Sequence, residues 1–392
     1  MQHRNIGTAG GGSIVSPPPY PTIVNADGSV KKVCIVTAYY NGFGLGLFKV
    51  HFDRNGDVLS CAGDMVFLFD SLTFTAMLRH DSLATTPYTL SAKDASQVRA
   101  YLESIGPNFI AMEEDAETFK ALQPYHDKFQ ELRQTVIATV PEIVCNECVP
   151  GEGRSAFCTA NETQQQVGGV GNLVAKAMLY TARRRSRVFA DFAIVHAAYF
   201  RMDIPKGNFT AYDSYVLLPF SHTVVTMNMT GEQVVKLLED VIDDVVERGA
   251  KSTYPYGKLV LEGILLDCCT CFLSFSYLSP QSASGIRFHV DTAAARGRRI
   301  SKLQVQAHLF LGTNSSSSWY HISFNKTYAV VTSSFLASGR AVFDEFGEIH
   351  RYADTDIQLP EAFAYYAQDV KHLVDVHKSE YSTQSYRCNK DY

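Results

Sequence analysis

The sequence predicts an α+β protein, and three stretches carry that expectation. In residues 171–195, GNLVAKAMLYTA has the apolar spacing of an amphipathic helix, and FAIV follows as a short apolar strand. In residues 222–245, the alternating strand HTVVTMNM runs into Thr230-Gly231-Glu232-Gln233, a capping box that opens a helix. In residues 45–69, LGLFKVHF and VLSCAGDMVFLF flank Asp53-Arg54-Asn55-Gly56-Asp57, which supplies the turn chemistry of a hairpin. A chain of 392 residues, 46% of them hydrophobic, can bury two cores.

Taken in order, the Gly/Pro-rich opening GTAGGGSIVSPPPYP is an irregular loop. Residues 33–38 form a strand, and the hairpin follows. Gly42, Gly44 and Gly46 lie between two strands instead of opening a helix, so they are assigned to a turn. From 91 to 133 the pattern is helical, with Pro124 expected to kink or divide the second helix. In the helix after Thr230, Val234, Leu237, Leu238, Val241, Ile242 and Val245 make one buried face. Residues 257–281 are apolar, but Glu262 and Asp267 interrupt them, and the remainder before Pro280 is shorter than the ~20 residues a membrane span needs. No membrane span is expected. This stretch reads as an insertion or a retained intron, because its removal joins KSTYPY to SASGIRFHVD. After residue 350 the chain reads as one short helix and a tail.

A net charge of −5 argues against a nucleic-acid-binding surface. The one basic run, Arg183, Arg184, Arg185 and Arg187, sits at a predicted helix C-terminus, where cations suit the dipole, and is read as a solvated helix end. Of nine cysteines, Cys145 and Cys148 form CNEC, but no second pair follows at zinc-ribbon spacing. Asn161, Asn208, Asn228, Asn314 and Asn325 head Asn-x-Ser/Thr sequons, which lean toward a secretory history. Met1 to Asn5 open no signal peptide, so the expected reading is a secreted protein whose beginning has been lost.

A nucleotide pocket needs flat aromatic faces for the base and cations for phosphate oxygens. Phe220, just after Pro219, and Phe335, placed at a strand end before Gly339, have the right type and setting, although spacing alone assigns both to core packing. Arg201 is placed at a strand C-terminus, where α/β-type sites concentrate. These letters, in this order, resemble the C-terminal domain of the 5'-nucleotidase family over residues 151–346, with a weaker match over 21–69. The family's Asn-Gly-Gly-Gly-x-Arg motif stands here as His196-Ala197-Ala198-Tyr199-Phe200-Arg201, keeping the arginine and losing the asparagine and glycines. Its Leu-Pro-Phe-Gly-Asn corner stands as Leu218-Pro219-Phe220-Ser221-His222. Its Phe-x-Ala-x-Gly-Gly-Asp-Gly stretch runs from Phe335 through Gly339 to Ala341, with Ala341 at the ribose-binding aspartate. Arg154 matches one arginine upstream. The resemblance therefore implies a substrate site of Phe220, Phe335, Arg201, Arg154, His196, His222 and Gly339. Tyr199 adds bulk where phosphate would pass, so binding is expected to be weak.

The resemblance also implies a divalent metal pair, of Zn or Mn type, in an intact family member, held by motifs that do not occur here in order. His3 is at best a vestigial ligand, and Asp375-Val376-His377 is read as a solvated helix face. No cofactor is expected on this chain, and no metal-dependent hydrolysis from it alone. The implied organisation is residual metallophosphoesterase strands (1–75), a helical linker (76–138), the 5'-nucleotidase C-terminal domain (139–350, with the insertion at 257–281) and a C-terminal helix and tail (351–392). The expected function is the substrate-binding part of a hydrolase that takes nucleoside 5'-monophosphates to nucleoside and phosphate, with a nucleotide or nucleoside as partner and extracellular or secretory placement. The rival reading is a non-catalytic nucleotide-binding or structural remnant.

Overall fold

A computed structural model describes residues 20–25, 31–36, 44–70, 75–76, 88–89, 91–105, 109–112, 115–147, 155, 157–159, 161, 168–186, 189–196, 199–251, 282–306, 318–339 and 344–387. The expected insertion at 257–281 lies outside them, as do Arg154, Ala341 and His3. The chain divides into two compact units, one running through Pro124 and the other taking up the described residues from Tyr125 onward.

In the first unit, β1 (Thr22–Asn25) pairs with β2 (Lys32–Ile35), and the predicted hairpin is present as β3 (Gly44–Phe52) against β4 (Val58–Asp70). Gly44 and Gly46 are not in a turn: they sit inside β3, opposite Phe67 and Met65, where a missing side chain leaves room for a large one across the ladder. Two short strands, β5 (Thr75–Ala76) and β6 (Tyr88–Thr89), precede α1 (Ala92–Ile105), β7 (Phe109–Met112) and α2 (Ala116–Gln134). The stretch read as purely helical therefore contains a strand, and β7 joins β4 in parallel. Four residues carry too little period to reveal such a strand. Helix α2 runs through Pro124 undivided, and none of its residues is buried. Water can take the Lys120 carbonyl that the proline leaves without a donor.

Among the residues of this unit whose burial is described, Val66 and Ala95 are buried hydrophobics, while Leu45, Leu47 and Phe52 of β3 and Leu59 of β4 are exposed. Apolar side chains left in water along these two strands give little local stability. Amide hydrogen exchange is expected to be fast across β3 and β4 and slow across the helix after Thr230. Equal, strong protection in both would contradict this.

The second unit is built on a five-stranded sheet of order β12-β9-β16-β11-β17. Its strands are β9 (Phe192–Val195), β11 (Thr223–Thr230), β12 (Ser282–Ser284), β16 (Thr327–Ser333) and β17 (Tyr352–Gln358). Alternate residues of β9 serve two cores. Ala193 and Val195 pack with α3 (Gly169–Arg184), α4 (Ala211–Leu217) and α8 (Leu359–Val370). Phe192 and Ile194 pack with α5 (Gly231–Lys251), β13 (Ile286–Asp291) and β14 (Ile300–Gln306). Strand β11, read as half-buried, is instead buried on both faces, with Val224 in one core and Val225 in the other, because it is an inner strand of a sheet covered on both sides.

The capping box forms as read: Gln233 Oε1 accepts from the Thr230 amide at 2.9 Å, and Thr230 Oγ1 accepts from the Gln233 amide at 3.2 Å. A second sheet has the order β15-β14-β13-β18, and β8 (Val136–Val140) pairs with β10 (Gly207–Thr210). β15 is Trp319–His321, and β18 is Thr383–Arg387. Two short helices, α6 (Ser334–Ala337) and α7 (Asp344–Gly347), follow β16.

The C-terminal stretch is more than a helix and tail, since β17 edges the main sheet beside β11 and β18 joins β13 in parallel. YADTDIQ is too polar to announce a strand. The basic run is likewise more engaged than a solvated end. Arg183 donates to the carbonyls of Ala190 and Asp191, and Arg185 pairs with Asp369 and lies over Tyr365. Disulfides link Cys34 to Cys61 and Cys145 to Cys158, which takes Cys145 out of any zinc pair.

Candidate functional site

The site is assembled where β11 begins and β16 ends. These strands are antiparallel with Val224 opposite Ser333. Continuing that register two residues outward places His222 opposite Phe335, so the strand ends bring the two ring-bearing segments together. The Ser334 hydroxyl accepts from the Thr223 amide at 3.1 Å and fixes this junction, while the His222 carbonyl accepts from the Leu359 amide at 2.9 Å. Phe335 is the second residue of α6, two residues past the strand end where it is expected.

Phe220 projects from a tight corner. Leu217 and Leu218 are fully buried anchors, and the Phe220 amide donates to the Leu218 carbonyl at 2.8 Å. Its phenyl ring and that of Phe335 are partly buried. Arg201 is six residues beyond the end of β9, in a loop and not at a strand terminus. Its amide donates to the Leu217 carbonyl at 3.1 Å, and its guanidinium carbon lies 5.0 Å from the Phe220 ring centre. The corner thus draws the arginine to the phenylalanine, in cation–π geometry.

The imidazole of His222, half-buried, is stacked on Phe220 with centroids 5.8 Å apart and planes 8° apart. The same imidazole is 5.0 Å from Phe335. Tyr199 lies beneath, 5.4 Å from Phe220, 5.7 Å from His222 and 6.4 Å from Phe335. It was read as bulk in the path of phosphate. The ring is instead 4% exposed, and its hydroxyl hydrogen-bonds Ser333 at 2.8 Å, so burial pushes the phenol well above its usual range. Tyr199 is the floor of the cluster. No local signal in the sequence marks this role, because the Ser333 hydroxyl that Tyr199 meets is 134 residues away. His196 is buried 5.9 Å from Tyr199.

Gly339 makes the turn after α6 at φ 74°, where its close approach to Gly347 leaves no room for a side chain. The structure therefore brings Phe220, Phe335, Arg201, His196 and His222 together around Tyr199 and places Gly339 in the supporting turn.

Among the described residues, no three His, Cys, Asp or Glu side chains gather as a metal site. Asp375 is not on a helix face: its chain is extended, and its carboxylate accepts from the Tyr381 hydroxyl at 2.5 Å and lies against Gly169 at the start of α3. Burial raises the Asp375 pKa above the usual carboxylate range. The described residues do not fit a metal pair. No helix among them is long and apolar enough to cross a membrane.

A two-faced α+β domain with an aromatic cluster at its strand ends is the setting in which the comparisons fall. The family described as 5'-nucleotidase, C-terminal domain, matches residues 136–348, more than half of the chain, and the protein belongs to that family. The chain is similar to the NAD 5'-nucleotidase of Haemophilus influenzae, 24% identical over 281 residues, covering 70% of this chain and 39% of the relative. It is similar to the 5'-nucleotidase of Vibrio vulnificus, 27% identical over 180 residues, covering 45% of this chain and 28% of the relative. Among solved structures, the 5'-nucleotidase precursor of Thermus thermophilus aligns with 94% of this chain and 54% of its own, at 22% identity and a TM-score of 0.47. The chain thus spans about half or less of the length of these relatives.

Proposed function

We propose that this chain is the substrate-binding part of a 5'-nucleotidase-type phosphoric monoester hydrolase, with Phe220 and Phe335 holding the base of a nucleoside 5'-monophosphate and Arg201 meeting its phosphate. The observation that carries the reading is the convergence of two partly buried phenyl rings and one arginine on a single strand-end corner. Flat rings bind bases of any sequence type, and a guanidinium clamps phosphate oxygens in bidentate fashion. Arg154 joins this set by resemblance. The strands of the first unit fit the residual end of a metallophosphoesterase sandwich, and the metals and hydrolytic chemistry of an intact member would come from residues outside those described. Two disulfides and the sequons support extracellular or secretory placement, where thiols are oxidised.

Calorimetric titration with AMP and adenosine tests the reading. AMP is expected to bind more tightly than adenosine, both weakly, near a Kd of ~1 mM, which corresponds to ~4 kcal/mol. Arg201→Ala should weaken AMP roughly tenfold, the worth of one charge-assisted hydrogen bond, and leave adenosine unchanged. Equal affinity of the parent for AMP and adenosine would remove Arg201 from the phosphate role.

A further inference from the structure

We propose that His222 is a built-in occupant of the base-stacking slot, so that a ring ligand binds only by displacing the imidazole from Phe220 and Phe335. The inference rests on the reading of those two rings as a base clamp. Its ground is geometric. The imidazole is coplanar with Phe220 to within 8°, at a centroid spacing of 5.8 Å, which lies in the range of offset aromatic stacking. It also lies 5.0 Å from Phe335, closer than Tyr199 does at 6.4 Å. One flat five-membered ring therefore lies near both phenyl groups, parallel to Phe220 and tilted 33° to Phe335. The Arg201 guanidinium carbon lies 5.0 Å from the Phe220 ring centre as well, so the same corner holds the arginine beside the stacked pair.

The placement is imposed by the fold. The β11–β16 register sets His222 opposite Phe335, and the Leu359 amide holds the His222 carbonyl. The backbone is thereby pinned, while the side chain is only half-buried, so displacing the imidazole asks for a rotation about χ1 and not for movement of the strand end. Removing the imidazole leaves that backbone hydrogen bond in place, so the corner survives the substitution. His222 thus sets the affinity of the slot and its preference. A ligand ring must stack on the phenylalanines better than an imidazole that is already tethered there, which favours the larger purine face over a single-ring pyrimidine.

The test compares the full chain with His222→Ala, His222→Phe and Phe335→Ala, titrated with adenosine and uridine by ligand-observed NMR. His222→Ala should bind adenosine roughly three- to tenfold more tightly than the parent, the worth of one aromatic pair. It should also narrow the preference for adenosine over uridine. His222→Phe keeps a ring in place and should gain nothing. In the parent, the His222 ring protons should start upfield, in the ring current of Phe220, and move toward free imidazole positions as adenosine is added. Unchanged or weaker binding by His222→Ala overturns the proposal, as does a His222 signal that adenosine does not move. If Phe335→Ala loses adenosine while His222→Ala gains nothing, the clamp stands and the occupant role falls. If Phe335→Ala binds adenosine as the parent does, the clamp itself falls.

Discussion

Replacing Asp243 with alanine is expected to destabilise the second unit by about 3–5 kcal/mol, the range for removing one partner of a buried ion pair. Asp243 lies on the inner face of α5, its side chain 3% exposed, paired with Arg299, whose side chain is 10% exposed. The other carboxylate oxygen accepts from the Gly297 amide at 3.0 Å, and Arg299 Nε donates to the Ala294 carbonyl at 3.2 Å. One turn earlier, Glu239 accepts from the amides of Arg299 and Ile300 at 2.9 and 2.8 Å. The two carboxylates together receive the turn between β13 and β14 and lock α5 to that sheet. Alanine at 243 removes the carboxylate that the guanidinium of Arg299 touches in a nearly closed site, leaving Glu239 as the neighbouring negative charge. At 2–4 °C per kcal/mol for a unit of this size, the melting midpoint should fall by about 10 °C. Thermal unfolding followed by circular dichroism checks it. Asp243→Leu combined with Arg299→Met, which removes both charges and keeps volume, should recover most of the loss. A midpoint within about 2 °C of the parent for Asp243→Ala would show that water reaches Arg299 and that the pair adds little.

The same helix shows how far sequence reaches. Its start at Thr230 and its apolar face were legible because capping chemistry and a 3.6-residue period are local. The partnership of Asp243 was not, since DVIDDVVE gives no sign of which acid meets an arginine more than fifty residues later. The site divides along the same line. Phe220 and Phe335 could be named from the motifs around them, but the position of Tyr199 depends on a hydroxyl contact with Ser333, across 134 residues of chain. His222 was legible as a neighbour of Phe220 and not as its stacking partner, because that contact depends on the tight corner in which the Phe220 amide turns back to the Leu218 carbonyl. Among the strands that went unread, β7, β17 and β18 are short or polar, and pairing with β4, β11 and β13 defines them in place of their own period.

Replacing Phe335 is expected to take adenosine binding below detection. A base stacked on an aromatic side chain gains roughly 1–3 kcal/mol. From a total near ~4 kcal/mol, that loss lowers affinity between about fivefold and a hundredfold. Phe335 also packs against both cores, so alanine would mix a packing defect with the loss of the face. Phe335→Leu separates the two, since leucine retains most of the apolar volume and has no flat surface. The leucine variant should melt within a few degrees of the parent and still fail to bind adenosine in ligand-observed NMR. Phe363, fully buried in the first core and 5.6 Å from Phe209, supplies the contrast. Phe363→Leu should lower the melting midpoint and leave adenosine affinity unchanged. Should Phe335→Leu bind as the parent does, the ring at 335 serves packing alone, and the reading of this domain as a remnant that holds no base takes its place.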